Sequence, residues 1–171
     1  MDLKQIIADV PDFPKPGILF RDITPLVEDP AAFKTVLDGL LGLLDGIDFD
    51  ALAAIESRGF VFGGPLAVEL GKRLVLVRKA GKLPRQTVQT SYALEYGEAS
   101  IEVHRDSFRP EEKVVVIDDL LATGGTAAAA GELVGKCGAT VVAYLFLVEL
   151  EFLGGRVKLT DAPVFSLVNY T

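Results

Sequence analysis

The sequence predicts an α/β fold with a mostly parallel central sheet flanked by helices, and two observations carry the prediction. Apolar runs of strand length alternate with helix-length segments over most of the chain. The runs Ala51–Ile55, Leu74–Val77, Lys113–Ile117 and Thr140–Val148 are also, past their first residues, continuous in apolar side chains rather than alternating with polar ones, which marks strands covered on both faces. Half of the 171 residues are apolar and no linker or low-complexity tract divides them, so one domain over 1–171 is expected.

The elements follow in order. Pro11, Pro14, Pro16 and Gly17 interrupt residues 10–17, so a short helix near residues 3–9 should give way to a loop. Asp29-Pro30 reads as a helix cap followed by proline at the first helical position, where a missing N–H does no harm. Phe33, Val36, Leu37, Leu40, Leu41 and Leu44 then recur at helical spacing and form one buried stripe. Further helices are expected from about Gly64 to Gly71 and from about Gly125 to Cys137. In residues 86–104, Val88, Ser91, Ile101 and Val103 lie in polar, alternating surroundings around Tyr92-Ala-Leu-Glu-Tyr-Gly97, the pattern of a projecting antiparallel flap rather than core.

A formal charge of −7 argues against nucleic acid or an anionic membrane as the main partner, because either needs a net basic face. The chain opens without a basic and then apolar leader, and runs such as Val141–Val148 are too short to span a bilayer. A cytoplasmic protein is expected. The single cysteine, Cys137, fits a reducing compartment and reads as a small buried apolar residue. The lone His104 reads as a surface residue.

The stretch Val114-Val-Val-Ile-Asp-Asp-Leu-Leu-Ala-Thr-Gly-Gly-Thr126 carries the chemistry. Ligands of open α/β sheets bind outside the carboxyl ends of the strands, where Asp118 and Asp119 fall. The loop Ala122-Thr123-Gly124-Gly125-Thr126 leads into a helix, so backbone N–H groups and two hydroxyls can converge on a phosphate. A nucleotide-triphosphate loop does not fit: Gly131–Cys137 (GELVGKC) has one residue too few and ends in Cys, and no GxGxxG occurs. A tight turn alone would explain the glycines but not adjacent acids with two threonines. Carboxylates that grip a ribose diol, beside an anion cradle and the hydrated Mg2+ of a polyphosphate, reconcile both features. Cations that could converge on phosphate oxygens lie beyond two strand ends: Arg58 after Ala51–Ile55, and Arg78, Lys79 and Lys82 after Leu74–Val77.

These residues resemble the phosphoribosyl-pyrophosphate (PRPP) signature of the type I phosphoribosyltransferases. The resemblance extends over nearly the whole chain, through Phe13–Pro25, Glu56–Phe60, Arg78–Pro84 and Ser91–Gly97, which are similar to segments of adenine-specific members. It implies an N-terminal base-binding hood, transfer of the 5-phosphoribosyl group from PRPP to adenine to give AMP and pyrophosphate, Mg2+ carried with PRPP, and a homodimer. It places Asp118 and Asp119 on the ribose, Ala122–Thr126 on the 5′-phosphate, and Arg58, Arg78, Lys79 and Lys82 on pyrophosphate. Main-chain groups of Leu19 and Arg21 would read the adenine edge, with Phe20 and Leu120 on its two faces. Glu95, beside Tyr96 in the flap, would hydrogen-bond N7. Enzymes for 6-oxopurines commonly carry an aspartate where this chain has Ala122, which favours adenine. The alternatives are another purine such as xanthine, or a non-catalytic PRPP-binding regulator; the latter fits poorly with the acidic balance and with no DNA-binding segment before residue 10.

Overall fold

Strands buried on both faces require helices on each side, and the computed structural model, which describes residues 1–93 and 97–171, supplies them. The described elements are β1 (Ala8–Pro11), β2 (Leu19–Asp22), α1 (Thr24–Glu28), α2 (Pro30–Leu43), β3 (Ala51–Ile55), α3 (Gly59–Leu70), β4 (Arg73–Lys79), β5 (Thr87–Ala93), β6 (Glu98–His104), β7 (Lys113–Leu121), α4 (Gly125–Lys136), β8 (Thr140–Leu150) and β9 (Val164–Tyr170). The main sheet has the order β5-β6-β4-β3-β7-β8-β9, and β1 and β2 form a separate antiparallel pair. Strands β4, β3, β7, β8 and β9 run parallel, whereas β6 and β5 are antiparallel additions beside β4.

Successive residues of a strand face opposite sides, so the same strands feed two cores. Leu52, Ala54, Val115, Ile117 and Leu145 pack with Val36 and Leu40 of α2 and with Phe62 and Leu66 of α3. Ala53, Ile55, Val114, Val116 and Phe146 pack on the other side with Ala130, Leu133 and Val134 of α4. Asp29 caps α2 as its sequence suggests, accepting from the N–H groups of Ala31 and Ala32 at 2.8 Å each.

Several expectations need correction. Residues 3–9 are not one helix: a single 3-10 turn at Leu3–Gln5 gives way to β1. Helix α3 starts at Gly59 rather than Gly64, because Pro65 lies inside it and does not open it. Strands β4, β7 and β8 run two to four residues past their expected ends, carrying Arg78, Lys79, Asp118 and Asp119 within strands. The flap is antiparallel as expected, but its base is core: Ile101 and Val103 are buried against the α4 side of the sheet. His104 is only partly exposed and accepts from the Arg85 N–H at 3.4 Å. Cys137 caps the end of α4, half-buried. Among the described residues no helix is long and apolar enough to cross a membrane.

The connection after β3 runs through α3 to β4 on one side, while β7 pairs with β3 on the other. The carboxyl ends of β3 and β7 therefore flank the point where the winding direction reverses, the place such sheets bind ligands.

Candidate active site

At this reversal point, Asp118 and Asp119 end up in different compartments. Asp119 lines a cavity of about 430 Å³, together with Phe13, Phe20, Arg21, Asp22, Arg58 and Leu120. Asp118 lines a neighbouring recess of about 80 Å³, with Leu120, Leu121 and the loop Ala122–Thr126. Leu120 is a wall of both.

Arg58 is the N-cap residue of α3 and donates from Nε to Asp119 Oδ2 at 2.5 Å. Asp119 is 5% exposed, so this guanidinium is its main compensation. The approach depends on Gly59, where an added Cβ would lie 3.0 Å from the Ile117 carbonyl oxygen and 3.1 Å from Asp118 Oδ1. A side chain there would push α3 away from β7.

Burial, and after it the charge of Asp119, raises the Asp118 carboxyl well above the usual carboxylate range. Burial also works against the Arg58 charge, but the hydrogen bond and charge of Asp119, with Asp118 and Asp22, more than restore it. Asp22 is held low by hydrogen bonds from the Thr24 hydroxyl at 2.5 Å and the Thr24 N–H at 2.9 Å. The site thus places one half-exposed cation among three carboxylates. Such an arrangement suits a ligand that brings hydroxyls to the acids and anionic oxygens to the arginine.

The loop after β7 ends at Gly124, which has φ +78° and precedes α4 with no side-chain cap. The N–H groups of the first turn are left for an anion in the small recess. From the flap, Tyr92 approaches within 3.5 Å of where a Gly125 Cβ would stand.

Opposite this loop stands the hood, the β1–β2 pair. Phe20 meets Phe13 edge-on, with centroids 5.1 Å apart and planes at 72°. Arg21 sits opposite Asp9 in the pair and forms an ion pair with it. Its guanidinium also lies 4.0 Å from the ring centroid of Tyr170, so the last strand of the main sheet steadies the hood. Leu19 is 46% exposed, starts β2, and is not among the cavity's lining residues.

The remaining cations are less directly placed. Among the described residues, Arg78, Lys79 and Lys82 do not line either cavity. Arg78 donates to Glu56 from Nε at 3.1 Å and from Nη2 at 3.4 Å, and to the Lys82 carbonyl at 3.2 Å. Glu56 also accepts from the Lys79 N–H at 3.0 Å, which ties β4 to the end of β3. Glu95 and Tyr96 lie outside the described residues.

Comparison with known families matches residues 31–162 to the phosphoribosyl transferase domain. The chain belongs to the phosphoribosyltransferase family. A curated relative from Agathobacter rectalis, an adenine phosphoribosyltransferase, is 52% identical over 98% of this chain and 97% of its own. The crystal structure of adenine phosphoribosyltransferase from Thermoanaerobacter pseudethanolicus superposes with a TM-score of 0.96 at 48% identity, covering 99% of this chain and 98% of that one. The Saccharomyces cerevisiae enzyme, complexed with an imino-altritol bisphosphate and adenine, superposes with a TM-score of 0.91 at 42% identity, covering 97% and 96%.

This phosphoribosyltransferase also uses residues that sequence reasoning passes over. Glu102 is 1% exposed and accepts from the N–H groups of Lys82 and Leu83 at 3.0 and 2.9 Å and from Gln89 at 3.0 Å. Burial pushes its carboxyl up, but these donors outweigh burial and hold it below its usual range. Glu102 therefore shapes the turn that carries Lys82. Nothing in the sequence hints at this, because alternation puts Glu102 on the face opposite Ile101 and Val103, where an acid reads as solvated. Asp22 and Glu56 likewise look like ordinary loop or strand-end acids.

Proposed function

We propose that this chain transfers the 5-phosphoribosyl group of PRPP to adenine, giving AMP and pyrophosphate. The observation that carries the reading is the shared Leu120 wall: an anion recess on one side, and on the other a cavity with an aromatic face and a carboxylate paired to an arginine. A nucleotide presents phosphate, diol and base in that order. The identity to adenine phosphoribosyltransferases over nearly the whole chain supports adenine as the base.

In this reading Ala122–Thr126 hold the 5′-phosphate and Asp118 and Asp119 the ribose hydroxyls. Arg58, with Arg78, Lys79 and Lys82, receives pyrophosphate. Phe20 and Leu120 sandwich the base, and main-chain groups of Leu19 and Arg21 read its edge. The bond from C1′ to the pyrophosphate oxygen breaks through an oxocarbenium-like transition state as N9 of adenine bonds to C1′ and the base gives up one proton. Fixed cations matter because negative charge develops on the leaving group before the new bond forms. Mg2+ enters as part of the substrate, Mg-PRPP. Glu95 meets N7, Tyr96 closes beside it, and the flap excludes water.

All 171 residues act as one domain in the cytoplasm, a compartment supported by the single cysteine. A homodimer is supported by exposed apolar side chains on α3 and β4, namely Val61, Val68, Leu74 and Leu76, with Val68 83% exposed. A monomeric mass at micromolar concentration would remove the dimer.

The reaction is tested with Mg-PRPP and a panel of bases, following pyrophosphate release. Turnover with adenine is expected; turnover with hypoxanthine or xanthine but not adenine overturns the substrate, and none with any base turns the reading towards a regulator. Glu95→Ala is expected to lower kcat by about 100-fold, the lower range for a positioned proton partner. An unchanged kcat removes Glu95 from the chemistry.

A further inference from the structure

The phosphate loop rests on a second backbone. A Cβ added to Gly124 would lie 2.3 Å from the Gly155 carbonyl oxygen, and one added to Gly155 would lie 2.3 Å from the Ala122 carbonyl oxygen and 3.1 Å from the Gly124 nitrogen. Both contacts are to main chain, which cannot swing aside as a flexible side chain does. The two glycines let the turn at Gly155–Lys158 sit directly against the loop.

The residue that follows Gly155 fixes this turn in place. Arg156 donates from Nε to Glu149 Oε1 and from Nη2 to Glu149 Oε2, both at 2.6 Å. It also donates to the Val164 carbonyl at 2.6 Å and the Ser166 hydroxyl at 2.9 Å. Ser166 completes the cluster by donating to Glu149 Oε2 at 2.6 Å. Glu149 is 2% exposed, near the carboxyl end of β8, where it registers opposite Leu121 just before the loop. Paired planar groups of this kind fix orientation as well as distance. Burial pushes the Glu149 carboxyl up, but Arg156 and Ser166 outweigh it and keep the carboxyl below its usual range.

We propose that Glu149 and Arg156 are a positioning pair: they brace the Gly155 turn against Ala122–Gly124 and so set the curvature with which the loop grips the 5′-phosphate of PRPP and AMP, without either residue touching a ligand. The proposal rests on the reading of Ala122–Thr126 as the phosphate cradle. Its function is separable from folding because a loop shifted by a fraction of an ångström still folds but loses convergence on the anion.

The test measures the KM for PRPP, the KM for adenine and the Kd values of AMP and adenosine, which differ by the phosphate alone. Arg156→Ala is expected to raise the KM for PRPP and the Kd of AMP by about tenfold, while adenosine and the KM for adenine stay within about twofold. Arg156→Lys keeps the charge but not the fork and should recover part of the loss. Arg156→Ala strands a buried carboxylate, so the double variant E149M/R156M, which removes both charges together, serves where the single one fails to fold. Equal weakening of AMP and adenosine, or no change in either, overturns the brace. Thr126→Ala separates it from the underlying reading: if that variant weakens AMP while Arg156→Ala and the double variant do not, the cradle stands and the brace falls. If none of them changes AMP affinity, both fall.

Discussion

Arg58→Ala is expected to lower kcat/KM by about 100- to 1,000-fold, or about 2.7–4 kcal/mol of transition-state stabilisation. The size follows from its position. Arg58 is the only described cation in the main cavity besides Arg21, and Arg21 is engaged by Asp9 and Tyr170. In the ligand-free arrangement its guanidinium is held by Asp119 at 2.5 Å. When ribose hydroxyls donate to Asp119, that carboxylate gains partners and the arginine can turn part of its fork to the leaving group. Truncation removes both the leaving-group contact and the ion-pair partner of the buried Asp119. It also strands the Asp119 carboxylate, so a loss of stability is expected beside the loss of activity, softened by the water that reaches the half-exposed position of the Arg58 side chain. Arg58→Lys should fall between wild type and alanine. A kcat/KM within about tenfold of wild type would place the pyrophosphate away from this residue.

That arginine also shows how far the sequence can be read. Its place after a buried strand is legible, because Ala51–Ile55 is apolar throughout and the strand's end is marked by Glu56-Ser57-Arg58-Gly59. Its role as helix cap is not, since the sequence places the helix from about Gly64, six residues past the Ser57–Arg58 turn, whereas the helix starts at Gly59 with Pro65 inside it. The proline is tolerated inside α3 because Phe62, Gly63 and Leu66 are pressed into the sheet, and tertiary packing overrides local preference. Strands β3, β7 and β8 announce themselves through unbroken apolar runs. The short β1, with its proline, and β9, with only Val168 fully buried, lack that signal because they lie at edges.

The loop proposed to hold phosphate is legible for a chemical reason: few purposes require two acids, two threonines and two glycines in nine residues. The supports of the loop and of the Lys82 turn are not, because their partners are distant in sequence. Glu102 reaches Lys82 and Leu83, and Gly155 meets Gly124 only after β8 has crossed the sheet. A buried glutamate reads as a surface acid until its donors are seen.

The closing expectation concerns Asp118, where function and stability should part. Its folded carboxyl is raised by burial and by Asp119, while in the unfolded chain it takes the ordinary value of 3.8. Below that pH the group is protonated in both states and makes no difference. Between 3.8 and the raised value the folded chain holds the proton and the unfolded chain does not, so stability falls as pH rises, and above the raised value the loss is complete. Asp118→Asn removes this titration. The asparagine can still accept from the Asp119 N–H through the oxygen that now does so at 2.8 Å. The variant should therefore match wild type in Tm near pH 3.5 and exceed it by a growing margin towards pH 8, as thermal melts across that range would show. Its kcat/KM should fall by about tenfold, the difference between a charged and a neutral acceptor for a ribose hydroxyl. A Tm difference that does not change with pH would mean that Asp118 ionises as freely in the folded chain as in the unfolded one, and a higher Tm with full activity would mean that its charge serves no ligand.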